Sequence, residues 1–173
     1  MLVRLARESD LAAITKINDW YILRTAANFN VDAVSARAMR DDWIASRDRY
    51  PWLVAIDEPD ENPEHRSEDE PEHESQTDSA SVTGRGNAMV GFARASAWKG
   101  RCAYDWSAEV TVYVHHEHHR RGIGLMLYER LFAILRDQGS RSLLAGITQP
   151  NEPSVRLHER MGMTRIVFRS CAR

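Results

Sequence analysis

The run from Glu109 to Leu135 constrains this chain more than any other part of it. In Glu109-Val110-Thr111-Val112-Tyr113-Val114, three valines alternate with Glu109, Thr111 and Tyr113. That period of two predicts a strand with two unlike faces. After His115 to Arg121 comes Gly122-Ile123-Gly124. Leu127, Leu131 and Leu135 then recur at helical spacing, and Gly139 marks a helix stop. A strand that feeds a helix through a glycine turn is an α/β element. The continuation keeps the alternation: strand Leu143–Ile147, turn Pro150–Pro153, helix Ser154–Met161 ending before Gly162, and a last strand Thr164–Phe168. The fold class expected is therefore α/β, with helices layered on a sheet.

Two helices precede this unit. Leu11, Ile14, Ile17 and Tyr21 follow the cap pair Ser9-Asp10; Ala36, Met39, Trp43 and Ile44 follow Ser35. The second must end by Tyr50, because Pro51 disfavours the α region before it. Trp52–Ile56 and Ala88–Ala93 read as two strands that would meet in a hairpin.

Between those strands lies a different kind of sequence. Residues 57–87 hold 11 of the 25 acidic groups and only Arg66 and Arg85 as bases, leaving 14 acids and 21 bases on the other 142 residues. With Pro59, Pro63 and Pro71 and almost nothing to bury, the stretch reads as a disordered acidic insertion into one domain spanning 1–173. A long loop at a hairpin tip is tolerated because closure entropy grows slowly with length. The remaining body carries a net +7.

The glycine turn suggests chemistry. Glycines let backbone N–H groups approach a ligand closely, and a helix N-terminus favours phosphate. Arg120 and Arg121 add charge. Gly-Lys-Ser/Thr is missing, so this is no P-loop, and two glycines do not make the dinucleotide fingerprint.

His119-Arg120-Arg121-Gly122-Ile123-Gly124 after an alternating strand resembles the acyl-CoA loop of the GNAT superfamily of N-acetyltransferases. Asn151 to His158 with Met161-Gly162-Met163 resembles that family's later helix motif. Arg49-Tyr50-Pro51-Trp52-Leu53-Val54-Ala55, Trp98-Lys99, Ala103-Tyr104-Asp105-Trp106, Glu109 before Val112-Tyr113-Val114, and Pro153 to Glu159 narrow the resemblance to phosphinothricin N-acetyltransferases. It covers about 1–56 and 88–168.

This resemblance implies a mixed, twisted sheet with helices on both faces. It implies acetyl-CoA as co-substrate, a small amino-acid-like amine of phosphinothricin or methionine sulfoximine type as acceptor, and a homodimer if the short C-terminus permits. Val112, Tyr113 and Val114 would pair with the pantetheine arm, and His119, Arg120, Arg121, Gly122, Ile123 and Gly124 would hold the pyrophosphate. Asn151 would lie near the thiol end. Glu109 would be the general base and His158 the acid. Trp98, Lys99, Arg101 and Tyr104 would meet the acidic groups of the acceptor. The types suit direct transfer: a carboxylate can deprotonate an amine, an imidazole can protonate a thiolate, and a backbone N–H such as that of Val112 can steady the oxyanion. Cys102 is not needed as a nucleophile.

Each residue also has a plainer reading. Glu109 reads as a solvated strand position, His158 as a packed helix residue, Trp98 and Tyr104 as ordinary core or interface aromatics, and Lys99 as a solvated lysine. The family's final antiparallel strand is expected to be missing after Thr164–Phe168, which leaves a non-catalytic acyl-CoA-binding relic, or acetylation of another amine such as a peptide N-terminus, as alternatives.

Other classes are disfavoured. His115, His116, His118 and His119 fit no carboxylate–histidine pattern, and a strand-to-loop run is expected to scatter their directions, so no intrinsic metal site is expected. No nucleic-acid motif accompanies the basic body. No apolar run approaches membrane-spanning length, and Met1-Leu2-Val3-Arg4 does not resemble a signal peptide. Cys102 and Cys171 cannot build a disulfide framework. A cytoplasmic location is expected.

Overall fold

Trp52 to Ile56 are buried without a break, which is possible only in a strand covered on both faces. The computed structural model describes residues 1–28, 32–57 and 88–166, and in it this strand is β2, Trp52–Asp57. The other elements are β1 Leu2–Leu5, α1 Leu11–Arg24, α2 Ala36–Ser46, β3 Ala88–Ala97, β4 Ser107–Val114, α3 Ile123–Asp137, β5 Ser142–Leu144 and α4 Glu152–Arg160. The expected insertion lies outside the described residues except for Asp57, which ends β2 and pairs with Ala88.

The sheet runs β1-β2-β3-β4-β5. The first four strands are antiparallel, and β5 joins β4 in parallel through the α3 crossover. The sheet is therefore mixed. On one face Leu53, Ala55, Val90, Ala93, Ala95, Ala108 and Val110 pack with Ile123, Leu127, Tyr128 and Leu131 of α3. On the other, Trp52, Val54, Ile56 and Phe92 pack with α1 and α2. Leu11, Ile14 and Ile17 supply the buried stripe of α1; each contributes about 1.5–3 kcal/mol by leaving water.

The helix starts show why these sequences stop and turn where they do. Ser35 Oγ accepts the Ala38 N–H at 3.1 Å and caps α2. Asp10 does not cap α1 with its side chain. Its carboxylate instead accepts the Arg7 N–H at 2.7 Å and two bonds from Arg4, at 2.6 and 2.9 Å. Those bonds to Arg4 hold the Asp10 carboxyl below the usual carboxylate range.

Three boundaries differ from the sequence expectation. α4 begins at Glu152, because Pro153 is tolerated in a first turn and Asn151 caps it. β5 ends at Leu144, where the chain parts from β4. Thr164 to Ile166 form no strand, and residues from 167 lie outside the described ones.

Candidate active site

β4 and β5 are paired only from Ser107↔Ser142 to Glu109↔Leu144. Beyond that point β4 continues to Val114 while the other chain leaves the sheet. The direction of the β4 peptide groups follows from one bond: the His115 N–H donates to the Val90 carbonyl at 2.8 Å. Peptide groups alternate along a strand, so those of Tyr113 and Thr111 also face β3. The N–H and C=O groups of Val112 and Val114 face the opened edge. Two of the three residues expected to pair with a pantetheine arm thus present backbone there. Tyr113 presents its ring to the α1 face instead, near Tyr21 and Phe92.

The far end of this edge is the glycine turn. Gly122 precedes α3 with φ +77°, a left-handed conformation suited to glycine, and Arg120 has φ +62°. No side chain among the described residues caps α3. The first amides of a helix lack intrahelical acceptors and carry partial positive charge, so this end suits an anion. Arg120 and Arg121 are exposed beside it. Arg121 Nη1 lies 3.8 Å from Asp57.

Gly124 is a glycine for another reason. A Cβ there would meet Leu157 Cδ2 at 3.1 Å and Val114 Cγ2 at 3.7 Å. Its small size lets α3, α4 and β4 converge behind the anion end.

His119 does not point at the anion end. Its Nε2 lies 2.7 Å from the Tyr21 hydroxyl and 3.2 Å from the Val114 carbonyl, while that hydroxyl donates to the same carbonyl at 2.6 Å. His119 Nε2 is then the donor to Tyr21. Burial pushes the Tyr21 phenol up to about 12, which keeps it a donor. This clamp fixes the end of β4 against α1. Sequence reasoning saw Tyr21 only as a core-facing helix position, and nothing in its spacing marked the clamp.

At the near end sits Glu109, half-buried between Ser96 of β3 and Leu144 of β5. Because Ala108 and Val110 face α3, the Glu109 side chain faces the α1 side with Tyr113. Val114 lies five positions along the strand from Glu109, roughly 17 Å away. The β3–β4 connection beyond Glu109 carries Trp98, Lys99, Arg101 and Tyr104. Lys99 Nζ lies 5.9 Å from the Trp98 ring and 5.8 Å from the Tyr104 ring, so three of these four come together. Arg101 is exposed at the start of the turn Cys102–Tyr104. The segments after α1 and β5 close over the same side: Thr148 Oγ1 donates to the Ala26 carbonyl, and the Tyr113 hydroxyl to that of Ala27 at 3.5 Å.

His158 lies on the opposite face from Glu109. It is buried in α4, with Nδ1 2.7 Å from the Ser154 carbonyl and Nε2 3.0 Å from the Tyr128 hydroxyl. Nδ1 must donate to the carbonyl, so Nε2 accepts from Tyr128. Burial lowers the His158 pKa, opposed by the bond to Ser154, and burial raises that of Tyr128. Both groups are held neutral. Asn151 Oδ1 accepts the Ser154 N–H at 3.3 Å and caps the helix.

The histidine run is scattered only in part: His119 turns to Tyr21, while His115 and His116 come together. Ligand atoms of His115, His116 and Glu117 lie within 4.8 Å of one another. No helix among the described residues is long and apolar enough to cross a membrane.

Comparison with known proteins fits this geometry. The chain is 37% identical over 162 residues to a phosphinothricin N-acetyltransferase of Streptomyces viridochromogenes, covering 94% of this chain and 73% of that protein. It is 29% identical to an L-methionine sulfoximine/L-methionine sulfone acetyltransferase of Salmonella typhimurium, covering 95% and 80%. The crystal structure of a GNAT superfamily phosphinothricin acetyltransferase from Sinorhizobium meliloti, in complex with AcCoA, matches with a TM-score of 0.73 at 27% identity over 93% of this chain and 73% of that one. Residues 43–163 match the acetyltransferase (GNAT) family model. With the parted strands and the open helix end in place, the chain belongs to the GNAT acetyltransferase family, as an N-acetyltransferase similar to the phosphinothricin N-acetyltransferases.

Proposed function

We propose that this protein transfers the acetyl group of acetyl-CoA directly to the amino group of a small amino-acid-like acceptor of the phosphinothricin or methionine sulfoximine type. The observation that carries the reading is the opened edge of β4, which runs from the carboxylate of Glu109 to the uncapped start of α3. An anion at the α3 end and a thioester near Val112 fit that edge, with acyl-CoA amides pairing to the backbone of Val112 and the N–H of Val114, whose carbonyl is taken by Tyr21. Gly122, Ile123 and Gly124 offer amides to the pyrophosphate, with Arg120 and Arg121 beside them. His119 supports this turn through Tyr21.

The chemistry follows in order. Glu109 takes a proton from the acceptor ammonium, directly or through one water, and the amine nitrogen attacks the thioester carbonyl carbon. The Val112 N–H steadies the oxygen that gains charge. The carbon–sulfur bond breaks, the nitrogen gives up its second proton and the thiolate gains one; His158 is the group assigned to this relay. Its ring is oriented by Ser154, and Nε2, which carries no proton in the resting tautomer, takes the nitrogen's proton and passes it to sulfur. Lys99 and Arg101, with Trp98 and Tyr104 around them, meet the acidic groups of the acceptor.

Relatives named for phosphinothricin and for methionine sulfoximine support this acceptor class. Homodimer assembly and a cytoplasmic location belong to the same reading; light scattering tests the first, and cell fractionation the second. An amine panel with acetyl-CoA, followed by thiol release, tests the activity. Turnover of methionine sulfoximine or phosphinothricin is expected. Release with no α-amino acid analogue, in protein that acetyl-CoA still stabilises thermally, would sink the acceptor assignment.

A further inference from the structure

The turn after β4 gathers metal-ligating side chains that acetyl transfer does not use. His115, His116 and Glu117 each bring one ligand atom to within 4.8 Å of the others. A tetrahedral zinc ion holds its ligand atoms about 3.4 Å apart, so these groups close by up to about 1.4 Å when the ion enters. Glu117 Oε2 already lies 4.0 Å from His115 Nδ1, and its side chain, 70% exposed, is free to rotate inward.

The imidazoles are positioned by the fold. His116 stacks on Trp20 of α1, with ring centroids 4.4 Å apart and planes 4° from parallel. His115 stacks on His116 at 4.5 Å and 26°. The His115 N–H donates to Val90, which fixes the backbone where the ladder ends. His118 meets His115 edge-on at 5.3 Å, and its Nδ1 is buried with no hydrogen-bond partner among the described residues. Beside this group is a cleft of about 60 Å³ lined by Lys16, Ile17, Trp20, Tyr21, His115 and His116.

We propose that His115, His116 and Glu117 form a binding site for a divalent ion of the zinc class, with water completing its shell. Two imidazoles and a carboxylate suit zinc and its late first-row neighbours, whereas magnesium and calcium prefer oxygen ligands. The exposed Lys16 ammonium opposes a cation in the cleft, and the Glu117 carboxylate offsets it. A bound ion ties the start of the β4–α3 turn to Trp20 on α1, outside the edge assigned to the acyl donor. The site does not depend on the acetyl-transfer reading.

The test uses the full chain without a histidine tag, stripped with chelator and titrated with zinc and, separately, cobalt(II). One equivalent per chain with micromolar affinity is expected, with visible cobalt absorption, a rise in melting temperature and no response to magnesium. His116→Gln and Glu117→Gln should each weaken binding at least tenfold, while Lys16→Ala tightens it several-fold. Glu117→Gln changes an exposed side chain and leaves the fold intact, so its effect reads the site itself. No zinc binding at micromolar concentration, or one equivalent bound with unchanged affinity in both His116→Gln and Glu117→Gln, overturns the proposal.

Discussion

The Tyr128 hydroxyl donates to Nε2 of His158 across 3.0 Å, between α3 and α4. The Ser154 carbonyl accepts the hydrogen bond from Nδ1–H, so the ring is fixed in one tautomer from both ends. Tyr128→Phe removes the donor and leaves a buried nitrogen unpaired. A loss of about 1–3 kcal/mol in urea unfolding is expected. The pair also sets a pH dependence. The His158 pKa is lowered in the folded state, so below about 6.5 the unfolded chain binds a proton that the native ring resists. Stability therefore falls as pH drops through that range. His158→Gln should reduce the slope, as measured by melting temperature between pH 5 and 7; an unchanged slope would show that His158 titrates alike in both states.

Glu109→Gln keeps the shape of the strand and removes the base. The turnover rate should fall by a factor of ~10²–10⁴ while acetyl-CoA affinity is kept. The pH optimum should move upward, because free amine must then come from solution. Steady-state rates across pH check both. A variant with the parent profile would remove Glu109 from the mechanism.

Gly124→Val tests the convergence behind the anion end. Its side chain meets Leu157 and Val114, so overpacking of about 1–3 kcal/mol is expected together with loss of acetyl-CoA stabilisation. The collision is specific: Gly124→Ala should be partly rescued by Leu157→Ala in a double-mutant cycle. Additive losses in that cycle would mean that the glycine serves the ligand rather than the packing.

Tyr21→Phe cuts the bonds to Val114 and His119 without emptying the core. The end of β4 and the glycine turn then lose a shared anchor. KM for acetyl-CoA should rise several-fold with little change in kcat, since no reacting atom is touched. Equal falls in kcat and kcat/KM would instead put Tyr21 in the transition state.

Asp57 and Ala88 pair at the junctions of β2 and β3, so a short Gly-containing turn can replace residues 58–87. The composition of that stretch predicts no core contribution. Melting temperature and acetyl transfer should stay close to those of the full chain. Unfolding of the deletion variant would show that the acidic stretch stabilises the body.

The alternation of Val110, Val112 and Val114, the glycines at 122 and 124, and the leucines of α3 determine the strand–turn–helix unit locally. Each depends on a period or a backbone conformation that neighbouring residues fix by themselves, and for that reason they are legible in sequence. The caps at Ser35 and Asn151 are local in the same way. Other relationships join residues far apart in the chain. Tyr21 reaches Val114 and His119 across more than ninety residues, and Leu157 fixes the size permitted at Gly124. Glu109 and His158 look alike as candidate proton carriers, yet the sheet puts them on opposite faces and buries one against Tyr128. The parting of β4 from β5 likewise comes from a three-residue ladder, although Leu143 to Ile147 read as one strand. Periodicity says which face a side chain takes. Only packing decides which distant group waits there, because that contact energy is gained between elements rather than along them.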